Sequence, residues 1–551
     1  MLLVVISAPL RLCASAPPRE IVFPVAFRPE KRYLVRSIAR KECAGMRRRD
    51  FLKAVGLGTW ALAMPGCAGL LGTGLGGTSR RRAPNIVYIL ADDWGYGDVS
   101  ALNEKSKLKT AHTDHLAAEG MRFTDAHSNS AVCSPTRYGI LTGRYCFRSR
   151  LKKGVLDGYS PPLIEEGRMT VASFLKKQGY HTACIGKWHL GWDWTKDDPG
   201  KREDVDFSGP VRNGPDVNGF DYYYCHCGSL DMAPYVYVEN GKATAQPDRM
   251  TESKAKFGWW RKGPTGADFD HADVLPNLTR RGVGYIRDRA ATGEPFLLYL
   301  ALPAPHTPIL PTREFQGKSG TNPYGDFVLQ VDASIGQIAR AVEDAGIREN
   351  TLFIVASDNG CSPEADFKEL AGFGHHPSYV FRGYKSDAYD GGHRIPFVVR
   401  WPARVRAGSV CGETICLTDL LATCADILGD ALPGNAGEDS VSILPALLGK
   451  KRGKPLREAT VHHSIDGMFA IRQGPWKLIQ GKGSGGWSVP EKSVPPGAPT
   501  GQLYNMEEDV GETANLYEKR PDVVKRLTDL LEKYKREGRS ARRESPNGNG
   551  E

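Results

Sequence analysis

Four apolar runs that each break off into polar residues constrain this chain more than any other feature. Asn85-Ile86-Val87-Tyr88-Ile89-Leu90 leads to Asp92 and Asp93, and His181-Thr182-Ala183-Cys184-Ile185 leads into Gly186-Lys187-Trp188-His189. Phe296-Leu297-Leu298-Tyr299-Leu300 leads into Pro305-His306-Thr307-Pro308, and Thr351-Leu352-Phe353-Ile354-Val355 into Ser357-Asp358-Asn359-Gly360. Short runs without polar alternation, rich in β-branched and large apolar side chains, are the pattern of strands buried on both faces. Amphipathic stretches such as Val171–Gln178 and Val328–Ala345 lie between them. This alternation predicts an α/β fold, a mostly parallel or mixed sheet sandwiched by helices. In open sheets of that kind ligands gather beyond the carboxyl ends of the strands, so the four polar clusters are expected to share one rim. Each cluster alone reads equally well as an ordinary turn, and it is their recurrence that points to a site.

From about Ala459 the pattern changes. Met468–Ile471 and Trp476–Ile479 are strand-like pieces around a Gln473-Gly474-Pro475 turn, Gln502–Asn505 adds another, and Pro521–Lys535 is a charged amphipathic helix. A smaller C-terminal antiparallel sheet with one helix is therefore expected over residues 456–540, after a main domain over 84–455. Gly481–Thr500 reads as a Gly/Pro/Ser-rich loop, and 541–551 as a disordered tail.

The net charge of +10 belongs to one end of the chain. Residues 1–67 hold 12 Lys/Arg against 4 Asp/Glu, which leaves 61 against 59 for the rest, so the body is nearly neutral and a nucleic-acid partner is not expected. Met46-Arg47-Arg48-Arg49-Asp50-Phe51-Leu52-Lys53, followed by the apolar run Ala54–Met64, resembles a twin-arginine export signal. That resemblance implies an exported protein and makes 46–67 the signal, 1–45 an extension or leader before it, and 68–83 a linker. Met64-Pro65-Gly66-Cys67 loosely resembles a lipoprotein cleavage box, which implies a lipid anchor at Cys67, with simple cleavage to a periplasmic protein as the alternative. No stretch reaches the roughly 20 apolar residues of a membrane-spanning helix.

Twelve cysteines in 551 residues do not make a disulfide scaffold. Cys225-His226-Cys227 has the residue types of a zinc site but no partner pair at metal-ligand spacing. One cysteine stands apart. Cys133-Ser134-Pro135-Thr136-Arg137, followed by Leu141-Thr142-Gly143-Arg144, resembles the type I sulfatase signature, C-x-P-[ST]-R-x4-T-G, at every fixed position. The resemblance implies an alkaline-phosphatase-like fold and an enzyme that hydrolyses sulfate esters. It implies that a sulfatase-maturing enzyme oxidises Cys133 to formylglycine, whose hydrate carries two hydroxyls on one carbon. Asp92, Asp93, Asp358 and Asn359, with the modified Cys133, then match the family's metal set. Their hard oxygen donors suit calcium, which accepts six to eight such ligands with loose geometry, better than the stricter magnesium.

The family pattern also assigns Arg137 to holding the modified residue, Lys187 and His189 to sulfate and hydrate contacts, and His306 and Lys385 to binding sulfate and protonating the leaving oxygen. Ser229, in Gly228-Ser229-Leu230-Asp231, matches a weaker sulfate-contacting position. One departure is Asp390 in Asp390-Gly391-Gly392-His393-Arg394, where the family usually has Glu, and this puts the geometry of that loop in question. A sulfated carbohydrate is the expected substrate. The alternatives are phosphoester hydrolysis on the same scaffold and a non-catalytic protein that binds sulfated glycans. Regiospecificity is expected to reside in loops 193–216 and 239–268, where Trp259, Trp260 and Arg261 suit sugar stacking and anion contact, or equally loop packing.

Overall fold

The computed structural model describes residues 83–542; the export-signal motif, Cys67, the linker up to 82 and the tail from 543 lie outside the described residues. The four apolar runs form neighbouring strands. Across a ten-stranded sheet the order is Ser409–Cys411, Met121–Phe123, Phe397–Arg400, Thr351–Ser357, Asn85–Asp92, Phe296–Pro305, His181–Lys187, Tyr222–His226, Val238–Glu239 and Lys242–Ala243. The five strands from Thr351–Ser357 to Tyr222–His226 run parallel, in registers such as Tyr88↔Tyr299, Tyr88↔Ile354 and Cys184↔Tyr299. The flanking strands are mostly antiparallel, so the sheet is mixed.

Period-2 geometry divides each central strand between two cores. Ile86, Tyr88 and Leu90 enter the apolar cluster on one face, and Val87, Ile89 and Ala91 the cluster on the other. The second cluster is covered by the helices Val274–Thr292 and Pro323–Asp344, which contribute Leu275, Leu278 and Ile286, and Val331, Ile335 and Ile338. The second helix starts five residues before the apolar periodicity does. Asn322 caps it by accepting from the Gly325 amide at 3.3 Å, and Pro323 occupies the first turn, where no backbone donor is needed.

The C-terminal segment forms a four-stranded antiparallel sheet, Thr460–His463, Phe469–Gln473, Trp476–Ile479 and Gln502–Asn505 in that order. The first of these was not singled out in the sequence. The Pro521–Glu537 helix lays Val523, Leu527, Leu531 and Tyr534 onto Val461, Ile471, Leu478 and Leu503, and Tyr145 and Phe147 from the larger layer complete this core. No helix among the described residues is long and apolar enough to cross a membrane.

Candidate active site

Parallel pairing fixes where the polar clusters end up. Asn85–Asp92 and Thr351–Ser357 pair in register up to Ala91↔Ser357, so Asp92 and Asp93 emerge beside Asp358 and Asn359. The Asp358 amide donates to Ala91 O at 3.1 Å, and the Trp94 amide to Ser357 Oγ at 2.9 Å, closing the two strand ends together. Asp93 sits at φ 64°, a left-handed conformation uncommon outside glycine but one that aspartate adopts more readily than most residues. Its amide donates to Asp358 Oδ1 at 3.3 Å, and Asn359 Nδ2 donates to Asp93 Oδ1 at 2.6 Å.

Cys133 opens the Cys133–Thr142 helix, and Arg137 stands one turn further on the same face. Both are buried, and the helix delivers the guanidinium into the carboxylates. Arg137 donates from Nε (3.1 Å) and Nη2 (2.8 Å) to Asp358 Oδ2, and from Nη1 to the Lys187 carbonyl at 3.0 Å. Lys187, the last residue of its strand, places Nζ 2.5 Å from Asp92 Oδ2. Lys385 reaches in from a loop to donate to Asp93 Oδ2 at 2.8 Å, and His306 Nε2 lies 3.7 Å from the same oxygen. Three carboxylates and three fixed cations thus share one buried, hydrogen-bonded cluster with Asn359, and His306 borders it.

The charges shape one another. Burial raises the Asp92 carboxyl, but Lys187, His306, Arg137 and Lys385 outweigh it and hold Asp92 well below the usual carboxylate range. Asp358 goes the other way, to about 6, because burial and the Asp92 charge prevail over Arg137. Burial also raises the Cys133 thiol, against the pull of Lys187 and Lys385, so a free thiol there stays protonated at neutral pH. A divalent cation fits this donor set. Asp92 Oδ1, 3.6 Å from Arg137 Nη2, and Asn359 Oδ1 are buried oxygens with no hydrogen-bond donor among the described residues, an arrangement a cation placed between them would relieve. Asp92, Asp93 and His306 bring ligand atoms within 4.8 Å of one another.

His189 borders the cluster rather than joining its network. It is buried at φ 54°, and its Nε2 lies 2.7 Å from the Leu156 carbonyl, which makes Nε2 the protonated nitrogen and leaves a lone pair on Nδ1. Nδ1 has no partner. Burial and then Lys187 hold this imidazole neutral, well below its ordinary value. Ser229 is buried with its Oγ unpaired, on the loop after Tyr222–His226, and no hydrogen bond ties it to the carboxylates.

Sequence reasoning weighed His226 only as part of a zinc run and did not place it at this rim. It ends a fifth parallel strand in register with Lys187, its Nε2 is buried without a hydrogen-bond partner among the described residues, and burial followed by Lys187 lowers it to about 3. The signal was present, since Tyr222-Tyr223-Tyr224-Cys225 is another apolar run ending in a polar residue. The flanking cysteines do not converge on it. Cys225 Sγ packs 3.5 Å from Cys184 Sγ in the core, and Cys227 Sγ faces the Pro234 carbonyl, so this segment forms no zinc site.

The sulfatase family model matches residues 84–430. The chain belongs to the sulfatase family. It is 32% identical over 492 residues to an N-acetylgalactosamine-6-O-sulfatase of Bacteroides thetaiotaomicron, covering 82% of this chain and 93% of that one. It is 31% identical over 460 residues to arylsulfatase A of Homo sapiens, covering 80% and 84%. A solved Bacteroides thetaiotaomicron chain described under the metabolism of multiple glycosaminoglycans superposes with a TM-score of 0.72 at 32% identity, over 83% of this sulfatase and 100% of that chain. This sulfatase is accordingly a hydrolase of sulfate esters with an alkaline-phosphatase-like α/β fold.

Proposed function

We propose that this sulfatase removes sulfate from sulfated carbohydrates, with formylglycine made from Cys133 as its nucleophile and a calcium ion held by Asp92, Asp93, Asp358 and Asn359. The observation that carries the reading is the buried convergence of Asp92, Asp93, Asp358, Asn359, Arg137, Lys187 and Lys385 around the first turn of the Cys133 helix. The formylglycine hydrate supplies two hydroxyls, one to attack sulfur and one whose deprotonation later expels sulfate. A calcium ion held there would supply positive charge to offset that of the sulfate oxygens.

The chain's own groups do the rest. Before the ion the three carboxylates and three cations balance, so a divalent charge leaves the site net positive and suited to an anion that gains charge as its S–O bond breaks. Arg137, locked by the fork on Asp358, orients the start of the helix and therefore the nucleophile. Lys187 and Lys385 are placed to bind sulfate oxygens from two sides. Burial lowers the Lys385 ammonium, but Asp93 more than reverses this and raises it while the two are paired. The leaving oxygen takes its proton from His306 or Lys385; His306 Nδ1 is fixed 2.6 Å from the Thr307 carbonyl, so this ring donates from Nε2 in its doubly protonated form. His189 Nδ1 is the lone pair that accepts the hydrate proton.

The relatives' activity on N-acetylgalactosamine 6-sulfate makes that sugar the first substrate to test. The twin-arginine-like segment supports export, with the maturing enzyme acting on Cys133 and Cys67 as a lipid anchor point. The test pairs mass spectrometry of the Cys133 peptide with turnover. The aldehyde is expected in active protein, and Cys133→Ala is expected to fold and lose all turnover. Active protein with an unmodified Cys133, or a Cys133→Ala variant near normal rate, refutes the reading. Sulfate and phosphate esters of one alcohol, assayed side by side, separate it from a phosphoesterase.

A further inference from the structure

The hairpin Pro247–Lys254/Trp259–Gly266 is anchored on two loops of the reaction centre. At its turn the Phe257 carbonyl accepts from Thr307 Oγ1 at 3.2 Å and from the Ile309 amide at 2.8 Å, which ties it to the loop that carries His306. Four residues later the Arg261 amide donates to the Asp231 carbonyl at 3.2 Å, on the loop that carries Ser229. Asp231 lies two residues from Ser229, at most about 7 Å along the chain. The hairpin therefore borders the loops that carry His306 and Ser229.

Its two tryptophans have different jobs. Trp260 stacks on His271 at 4.1 Å and 17°, and its Nε1 donates to Thr251 Oγ1 at 3.2 Å, so it packs the hairpin. Trp259 instead backs Arg261, whose guanidinium carbon lies 5.2 Å from the ring centroid. The Arg261 side chain is 55% exposed, while Asp231 beneath it is buried. Only Nη1 of the guanidinium is used: it donates to the Asp231 carbonyl at 3.1 Å and to Asp231 Oδ2. Nε and Nη2, the edge that binds planar oxyanions with two parallel hydrogen bonds, donate to no acceptor among the described residues. One nitrogen is anchored and the ring holds the plane, so little rotamer freedom remains to be lost on binding.

Resting on the sulfated-carbohydrate reading, we propose that Arg261 is a specificity-determining residue whose free Nε/Nη2 edge binds a second oxyanion, a carboxylate or a sulfate, on the sugar next to the one that carries the scissile ester. The substrate is then a polyanionic oligosaccharide rather than an isolated sulfated sugar or an aryl sulfate.

The test uses protein with the Cys133 aldehyde verified and three disaccharides of 6-sulfated N-acetylgalactosamine. The neighbouring ring carries a carboxylate, the same carbon reduced to an alcohol, or a sulfate ester. The wild type is expected to favour an anionic neighbour over the neutral one by about ten- to hundredfold in kcat/KM, the range for hydrogen bonds to charged groups. The preference resides mainly in KM and shrinks with added salt. Whichever anion gives the larger ratio identifies the oxyanion. Arg261→Ala is expected to collapse the ratio toward one, and Arg261→Lys, which keeps the charge but loses the fork, to leave an intermediate ratio. A wild type indifferent to the neighbour overturns the inference. Equal losses on charged and neutral disaccharides in Arg261→Ala also overturn it, since Arg261 would then act only by positioning the Asp231 loop. A wild type that hydrolyses none of the three sulfated sugars while cleaving a simple aryl sulfate sinks the carbohydrate reading itself, which is a separate result.

Discussion

Acidification from pH 7 to pH 5 is expected to destabilise this protein through its buried histidines, three of which form one cluster. His127, His393 and His462 meet, fully buried, where the C-terminal sheet joins the catalytic layer, with the His393 and His462 rings stacked at 4.0 Å and 6°. Their ligand atoms lie within 4.8 Å of one another, as in a metal site, but the ring nitrogens have protein partners. His127 Nδ1 faces His393 Nδ1 at 3.0 Å and its Nε2 faces Asp125 at 2.8 Å, while His462 spans the Ser128 carbonyl (2.8 Å) and Thr460 Oγ1 (3.0 Å). Lys477 stands 3.2 Å from His393 Nε2, and Arg472 3.3 Å from His127 Nε2. Cations on that side disfavour a metal ion and a second protonation alike. Burial lowers all three histidines; His462 and Lys477 add to it at His393, His127 adds to it at His462, and Asp125 partly offsets it at His127.

A histidine whose folded value lies below its unfolded value of about 6.5 contributes stability that is present above pH 6.5 and lost as pH falls. At pH 5 the unfolded chain gains about 1.4 kcal/mol per unit below 6.5, so each histidine kept neutral in the fold costs about 2 kcal/mol relative to pH 7. Nearby Glu512, raised to about 7 chiefly by burial, works in the opposite sense over the same interval. A variant comparison removes that common contribution. His462→Gln is expected to be less stable than the wild type at pH 7, and the gap is expected to narrow by about 2 kcal/mol at pH 5, because one neutral histidine is no longer enforced. Urea unfolding followed by tryptophan fluorescence at the two pH values measures it. An unchanged gap would show that burial does not hold these rings neutral.

Lys477→Met is expected to cost about 3–5 kcal/mol in urea unfolding, since Lys477 Nζ is buried 2.7 Å from both Asp390 Oδ1 and Glu512 Oε1 and its loss strands two carboxylates; a cost under about 1 kcal/mol contradicts the pairing. Calcium at a hundredfold excess over Kd is expected to stabilise the wild type by about 2.7 kcal/mol and Asp92→Asn by much less, and an equal effect on both refutes the assigned ligands. His306→Ala is expected to lower turnover of a sugar sulfate about 10²–10⁴-fold but of a nitrophenyl sulfate only slightly, because the better leaving group needs no proton. Equal losses on both substrates would mean that His306 binds sulfate rather than delivering the proton.

The parts of this site that were legible in the sequence are those that strand direction dictates. Once Asn85–Asp92, His181–Lys187, Phe296–Pro305 and Thr351–Ser357 run parallel, Asp92, Lys187, His306 and Asp358 have to stand at one rim. Lys385 has no such signal. It lies in a loop whose path is set by the Lys385 amide on the Cys361 carbonyl and the Ser386 amide on the Ala131 carbonyl, contacts between residues far apart in the chain. Only its match to a family pattern pointed to it. Thr460–His463 was equally opaque, because a strand with two histidines looks polar until the partners that bury it, Ser128 and His393 among them, are in place.

The one departure from the family pattern resolves in the same way. An aspartate at 390 is a methylene shorter than the usual glutamate, and on sequence grounds its loop geometry was in question. Asp390 Oδ1 nevertheless sits 2.7 Å from Lys477 and Oδ2 2.9 Å from Arg394, and those cations hold it well below the usual carboxylate range against the burial that would raise it. Glu512, from the chain's closing segment, accepts from the Asp390 amide at 2.7 Å and flanks Lys477 on its other side. The C-terminal sheet therefore brings the cation, and the segment after its last strand a second carboxylate, to this loop. The Asp390–Arg394 turn that follows the Lys385 loop is held by residues that sequence proximity could not have paired with it.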